Sequence, residues 1–169
     1  MKKILPFIFL LFIVSSCKSK KVAPNKKKQT RTVKVNTTNK PTKAAESIVK
    51  YAQTFNGTRY KYGGTTKKGM DCSGLIFTSY KKYDINLPRT TSGLKSTGDW
   101  VDLKEVNVGD LVFFATKKNS RSVNHVGIVT RVRTGNVEFI HASSSKGVMT
   151  SSLAEKYWYF SFVQARRVL

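Results

Sequence analysis

Between Lys18 and Ala44 the chain holds ten basic side chains and no acidic one, set among Thr, Asn, Ser and Pro. Such a stretch buries too little apolar surface to offset the entropy of ordering it, so it reads as a disordered tether. As a flexible segment of 27 residues it reaches on the order of 30 Å, and repulsion among its lysines extends it further. Folding is therefore left to residues 45–169, which suffice for one domain with a single core and not for two. No internal repeat divides them. The net charge of +22 is equally uneven: 12 of 31 basic residues precede Glu46, and all nine acidic residues lie at or after it.

The first 17 residues, MKKILPFIFLLFIVSSC, run from Lys2 and Lys3 through an apolar stretch at Ile4 to Val14 and small residues before Cys17. That order is the order of a signal peptide. Eleven apolar residues are too few to span the hydrocarbon core as a helix. The ending VSSC resembles the bacterial lipobox, whose cysteine becomes the lipidated first residue of the mature protein, although Val14 stands where leucine is commoner. An exported lipoprotein does not meet nucleic acid, so the basic balance points to anionic lipid head groups or carboxylate-rich wall polymers.

Ala45, Ile48, Val49, Ala52 and Phe55 fall at helical spacing and open the domain with an amphipathic helix. The glycine-rich run NGTRYKYGGTTKKG follows; it lacks the GK[ST] ending of a phosphate-cradling loop. Leu75, Ile76, Tyr80 and Tyr83 define a second helical face, closed by Leu87-Pro88. Strand-like segments occupy 110–115, 124–132, 136–142 and 159–168. Helices first and consecutive strands after predict an α+β domain with helices against an antiparallel sheet.

The chain has two cysteines, and if Cys17 is consumed by lipidation, Cys72 in GMDCSGLIF has no disulfide partner. An idle thiol is a liability in an oxidising compartment, which makes Cys72 a candidate nucleophile. Asp71 is a good N-cap for a helix starting at Cys72 or Ser73. A thiol at that positive end is expected to ionise readily, and the same N–H groups are candidates for an oxyanion hole. The competing reading is a buried cysteine serving as a small hydrophobe.

The two histidines, His125 and His141, both lie on strand-like segments. A three-residue hairpin loop Arg133-Thr134-Gly135, with glycine in the left-handed position, pairs Val132 with Asn136 and brings Gly127 opposite His141. His125 is then a diagonal neighbour on the same face at roughly 7–8 Å, and Gly127 leaves His141 room to lean toward it. A loop one residue longer or shorter sends the two to opposite faces. A thiol and two imidazoles also suit a metal by ligand type, but no CxxC or HxxxH pair supports that reading.

RYKYGG at 59–64, DCSGL at 71–75, LPRTT at 87–91, GDLVFF at 109–114, HVGIV at 125–129 and FIHASSSKGV at 139–148 together resemble the NlpC family of papain-like bacterial cell-wall peptidases. The resemblance covers nearly all of residues 45–168 and implies a papain-like fold with a sheet of about five to six strands. By position it implies Cys72 as nucleophile, His125 as general base and acid, and His141 as the residue orienting His125. Tyr60 matches a tyrosine near the nucleophile, and it, Ser73 and Asp71 are expected at the substrate or oxyanion.

The implied activity is cleavage of amide bonds in peptidoglycan stem peptides or crosslinks. No cofactor is expected. The expected partners are stem peptides and, through the N-terminal lipid, a membrane, most naturally the outer membrane on its periplasmic side; a monomer is expected. Two alternatives stay open: a non-catalytic wall-binding lipoprotein on a dead peptidase fold, and a thiol amidase or acyltransferase on the same fold.

Overall fold

The computed structural model describes residues 41–169. The segments read as signal peptide, lipidation site at Cys17 and, up to residue 40, tether lie outside the described residues. Helix α1 spans Lys43–Gln53, capped by the Thr42 hydroxyl, which accepts from the Ala45 N–H at 3.1 Å. It begins inside the segment read as tether, because Thr42 supplies the cap that Ala45 lacks. Its face of Ala45, Ile48, Val49 and Ala52 is buried, as the spacing predicts. No helix among the described residues is long and apolar enough to cross a membrane.

The glycine-rich run is a small hairpin, with β1 (Thr65–Thr66) paired to β2 (Gly69–Met70). Helix α2 follows at Cys72–Lys81, and a short α3 at Thr91–Leu94. Leu75, Ile76 and Tyr80 of α2 are fully buried; Tyr83 falls beyond the helix end and is half-exposed, which corrects its expected place on that face.

Six antiparallel strands form the main sheet: β3 (Asp99–Val101), β4 (Leu111–Phe114), β5 (His125–Arg133), β6 (Asn136–Ser143), β7 (Gly147–Ser152) and β8 (Phe162–Arg167), in the order β3-β8-β4-β5-β6-β7. The α+β class and the expected strand number both hold. Three segments differ from the sequence reading, the first being the strand at Asp99–Val101. Gly147–Ser152 is a strand, and Tyr159–Ser161 belongs to helix α4 (Lys156–Ser161), so the last strand starts at Phe162. The helical turn buries Trp158 while Tyr159 and Phe160 face solvent.

The alternation of side chains sorts the apolar residues onto both faces of the sheet, so the domain holds two cores and not the single one expected. Phe113, Val126, Ile128 and Ile140 pack with Ile48, Leu75 and Ile76 of the helices. Val112, Phe114, Val129, Phe139 and Ala165 pack around Trp158 on the other face. Each such fully buried side chain contributes roughly 1.5–3 kcal/mol of transfer free energy. The site lies where these two layers meet, at the start of β5.

The β5–β6 hairpin shows how that place is reached. Its connection is two residues, Thr134-Gly135, with Arg133 paired to Asn136 and Val132 to Val137, so the three-residue loop is corrected. Gly135 does take the left-handed conformation, with φ 74°. A bulge then inserts Thr130 between Arg131↔Glu138 and Val129↔Phe139, and Ile128 pairs with Ile140. The extra residue in the bulge replaces the one missing from the loop. Continuing the register brings Gly127 opposite His141, where a Cβ on Gly127 would sit 2.6 Å from the Phe139 ring and 3.3 Å from the His141 Cβ.

Candidate active site

Cys72 opens α2 as its first residue, and Asp71 is the N-cap, its carboxylate accepting from the Gly74 N–H at 2.7 Å. The same carboxylate accepts from the Gly63 N–H at 2.7 Å and from both guanidinium nitrogens of Arg89, at 2.9 and 3.0 Å. Burial alone would raise the Asp71 pKa. The hydrogen bonds from Arg89, Gly74 and Gly63 outweigh it and hold the group ionised below its ordinary value. With its acceptor positions filled, Asp71 is a cap and an anchor for the glycine-rich hairpin, and together with Ser73 it lines the cavity beside Cys72. The Ser73 hydroxyl is drawn into the same network, accepting from Arg89 at 2.7 Å, so only the Ser73 backbone N–H is left toward the thiol.

Cys72 is the one free cysteine among the described residues, and it is nearly buried. Burial pushes its thiol pKa up, the Asp71 carboxylate adds to that, and the Thr91 hydroxyl at 3.7 Å and the N–H groups of Ser73 and Val126 pull it down less. Burial and the carboxylate cap thus oppose the ready ionisation expected from the helix N-terminus. Tyr60, bridged to Met70, lies beside the sulfur. Its phenol pKa is raised by burial first and then by the nearness of Cys72.

Cys72, Tyr60 and His125 line one cleft of about 350 Å³, with Asn124, Ser143 and Trp158 on its walls. A second cavity of about 440 Å³ meets it at Tyr60 and Cys72 and runs along Tyr62, Arg89 and Thr91. The thiol thus stands between two grooves, as a nucleophile that attacks the middle of an extended substrate must.

His125 Nε2 lies 2.9 Å from His141 Nδ1, and His141 Nε2 lies 3.1 Å from the Ser151 hydroxyl. His141 is wholly buried. Trp158 stacks on His125 at 5.6 Å between centroids and meets His141 edge-on at 4.7 Å. This apolar wall lowers the pKa of both imidazoles by burial, and each resists charging while the other is charged. Both ring nitrogens of His141 are engaged by protein groups, leaving it no lone pair for a metal without breaking one of them. Arg89, Thr91 and Ser151 are the site neighbours that sequence reasoning missed. The first two stand in the LPRTT segment, whose function gave no local signal, and Ser151 depends on a strand that the sequence did not reveal.

The depressed histidine pKa values have a consequence for stability. Below the ordinary value of 6.5 the unfolded chain takes up protons that the native state refuses, so unfolding free energy falls as pH falls through that point. The slope is up to about 1.4 kcal/mol per pH unit for each histidine. Urea midpoints compared at pH 7.5 and pH 5.5, above the range where carboxylates titrate, should drop in the parent and drop less in His141→Gln. An identical drop in the two would remove the histidines as its cause.

A buried and a half-buried imidazole and a lone thiol opening into one cleft, on helices packed against an antiparallel sheet, define an α+β domain with a candidate thiol nucleophile. The NlpC/P60 family profile matches residues 57–167, and the chain belongs to that family. It is 46% identical over 117 residues to the probable endopeptidase NlpC of Escherichia coli K12, covering 69% of this chain and 73% of that protein. It is 34% identical over 178 aligned positions to the murein DD-endopeptidase MepS/murein LD-carboxypeptidase of the same organism, covering 98% of this chain and 91% of that protein. Among solved structures, an NlpC/P60 family protein from Bacillus cereus ATCC 10987 superposes with a TM-score of 0.68 at 32% identity, over 76% of this chain and 41% of that one. The chain thus spans less than half the length of that structural neighbour.

Proposed function

We propose that this chain is a peptidoglycan endopeptidase that cuts amide bonds in wall stem peptides or crosslinks, with Cys72 as nucleophile, His125 as general base and acid, and His141 as the orienting residue. The observation that carries the reading is a thiol and an imidazole on the walls of one cleft, with the far nitrogen of that imidazole fixed at 2.9 Å by a buried second ring.

In the resting site both partners are neutral, since burial disfavours the thiolate and the imidazolium alike. As the substrate carbonyl closes on Sγ, the thiol proton passes to Nδ1 of His125, the nitrogen that His141 leaves free. The Sγ–C bond forms and the carbonyl oxygen takes the negative charge. The backbone N–H of Ser73, at the start of α2, and the Tyr60 phenol are the donors nearest to receive it. The imidazolium then gives its proton to the departing amine, the C–N bond breaks, and a water activated by neutral His125 hydrolyses the thioester.

Mass spectrometry of purified sacculi after digestion tests the reading and names the bond. New amino termini within stem peptides or at crosslinks are expected. A transferred acyl group on an added amine, with no net hydrolysis, would replace it with the acyltransferase alternative.

The location belongs to the same proposal: a monomer held by lipid on Cys17 at the outer membrane, facing the periplasm, with residues 18–40 as the arm that lets it reach the wall. Several acyl chains beside a basic segment anchor firmly, whereas the basic segment alone is released by salt. Cys17→Ser should therefore leave the membrane fraction in high salt and remain active, and its retention there would sink the lipoprotein assignment.

A further inference from the structure

We propose that Ser151 is a positioning residue for the thiol site: its hydroxyl oxygen accepts the Nε2–H of His141 and so fixes the ring in the tautomer whose Nδ1 can receive a hydrogen bond from His125. On β6 and β7, His141 is paired with Met149 and Phe139 with Ser151, so Ser151 lies two residues along from Met149, on the face that His141 shares. His125 is the corresponding diagonal neighbour of His141 across β5. A line of three polar groups thus crosses three strands, Ser151 to His141 to His125, with separations of 3.1 and 2.9 Å.

The tautomer matters because a neutral imidazole carries one N–H and one lone pair. If His125 is to take the thiol proton on Nδ1, its Nε2 must carry a proton and point it at an acceptor. Only a His141 whose Nδ1 is bare can be that acceptor, and its own proton must then sit on Nε2. That N–H is in a wholly buried ring walled by Phe139 and Trp158, where a donor without a partner carries its full desolvation penalty. Ser151, itself 6% exposed, supplies the oxygen. Without it the Nε2–H tautomer of His141 loses its acceptor, and the other tautomer sets its Nδ1–H against the Nε2–H that His125 must carry if its own Nδ1 is to take the thiol proton. No bond is made or broken at Ser151; it acts through His141.

The proposal rests on the hydrolase reading for its kinetic arm alone, since the tautomer can be read without activity. The full chain has two histidines, so a ¹⁵N-histidine-labelled sample gives two ring systems, assigned by His141→Gln. At pH 7.5 the long-range ¹H–¹⁵N spectrum of the parent should show His141 protonated on Nε2 and bare on Nδ1. In Ser151→Ala the His141 nitrogens should move toward the average of the two tautomers, and in Ser151→Thr, which keeps the hydroxyl, they should stay. On sacculi, Ser151→Ala should lose roughly tenfold or more in kcat with KM nearly unchanged, and Ser151→Thr should recover most of the loss. A parent His141 protonated on Nδ1 overturns the proposal whether or not the chain cuts peptidoglycan, and so does a Ser151→Ala variant with parental shifts and parental kcat. If Ser151→Ala fails to fold, the parent spectrum and Ser151→Thr still decide it.

Discussion

Cys72→Ala is expected to abolish the release of amino termini from purified sacculi, a loss on the order of 10⁴-fold or more against the parent. Nothing nearby replaces the sulfur. The Thr91 hydroxyl, 3.7 Å away, shares the thiol's surroundings, yet an alcohol is a far weaker acid than a thiol and gives its proton to a pKa-depressed imidazole less readily still. The fold should survive, because the side chain sits at the edge of the helical core and the caps of α2 come from Asp71. Circular dichroism and the melting temperature check that the protein is intact. Iodoacetamide should inactivate the parent at a rate that rises with pH, since burial raises the thiol pKa and the thiolate is the species that reacts. A Cys72→Ala variant that cuts at the parental rate would end the thiol mechanism, and inhibition by EDTA reversed by zinc would put a metal in its place.

Much of this site was legible because it depends on local chemistry. Asp71 before Cys72 is a cap by residue type alone, and the helix starts where that cap puts it. The facing of the two histidines was legible for a less direct reason. The loop length read from Arg133-Thr134-Gly135 is one residue too long, and the bulge at Thr130 returns the missing residue before the histidines are reached. The arithmetic reached the right register at Gly127 through a hairpin that differs in detail. A bulge leaves little trace in a single sequence, since it is set by how the strand must bend between its neighbours.

The readings that failed are those decided by tertiary surroundings. The Arg89–Asp71 ion pair, between residues 18 apart, went unread for that reason. The thiol looked ionised because a helix N-terminus and an imidazole are visible in sequence, whereas the burial that opposes them is not. Tyr159 to Ser161 alternates like a strand, but the space beneath β5 and β6 takes Trp158, and a helical turn is what delivers it there. The same residue covers both imidazoles and so pushes their pKa values down, and one aromatic side chain thus links the packing of the second core to the electrostatics of the site.

His125→Ala should cost nearly as much as the loss of Cys72, whereas His141→Gln or His141→Asn should keep measurable activity. His125 handles a proton in both half-reactions, accepting it from sulfur and returning it to the leaving amine, and the alanine variant removes both transfers. An amide oxygen at position 141 can still accept the His125 Nε2–H, so the orienting contact is weakened and not lost. A fall of roughly 10²-fold is expected for the amide variants and 10⁴-fold or more for His125→Ala. The pH profile carries the sharper distinction. In the parent the imidazoles are coupled, and the acid limb belongs to the pair, falling below the ordinary histidine value because burial depresses both. An amide does not titrate, so His141→Gln should reduce the limb to a single protonation with a shallower slope. Equal and complete loss in His141→Gln, His141→Asn and His125→Ala, with folding verified, would mean that His141 moves protons itself and is more than an orienter. Full activity in His141→Ala would break the link between the 2.9 Å contact and catalysis, and with it the assignment of His125 Nδ1 as the nitrogen that meets the thiol.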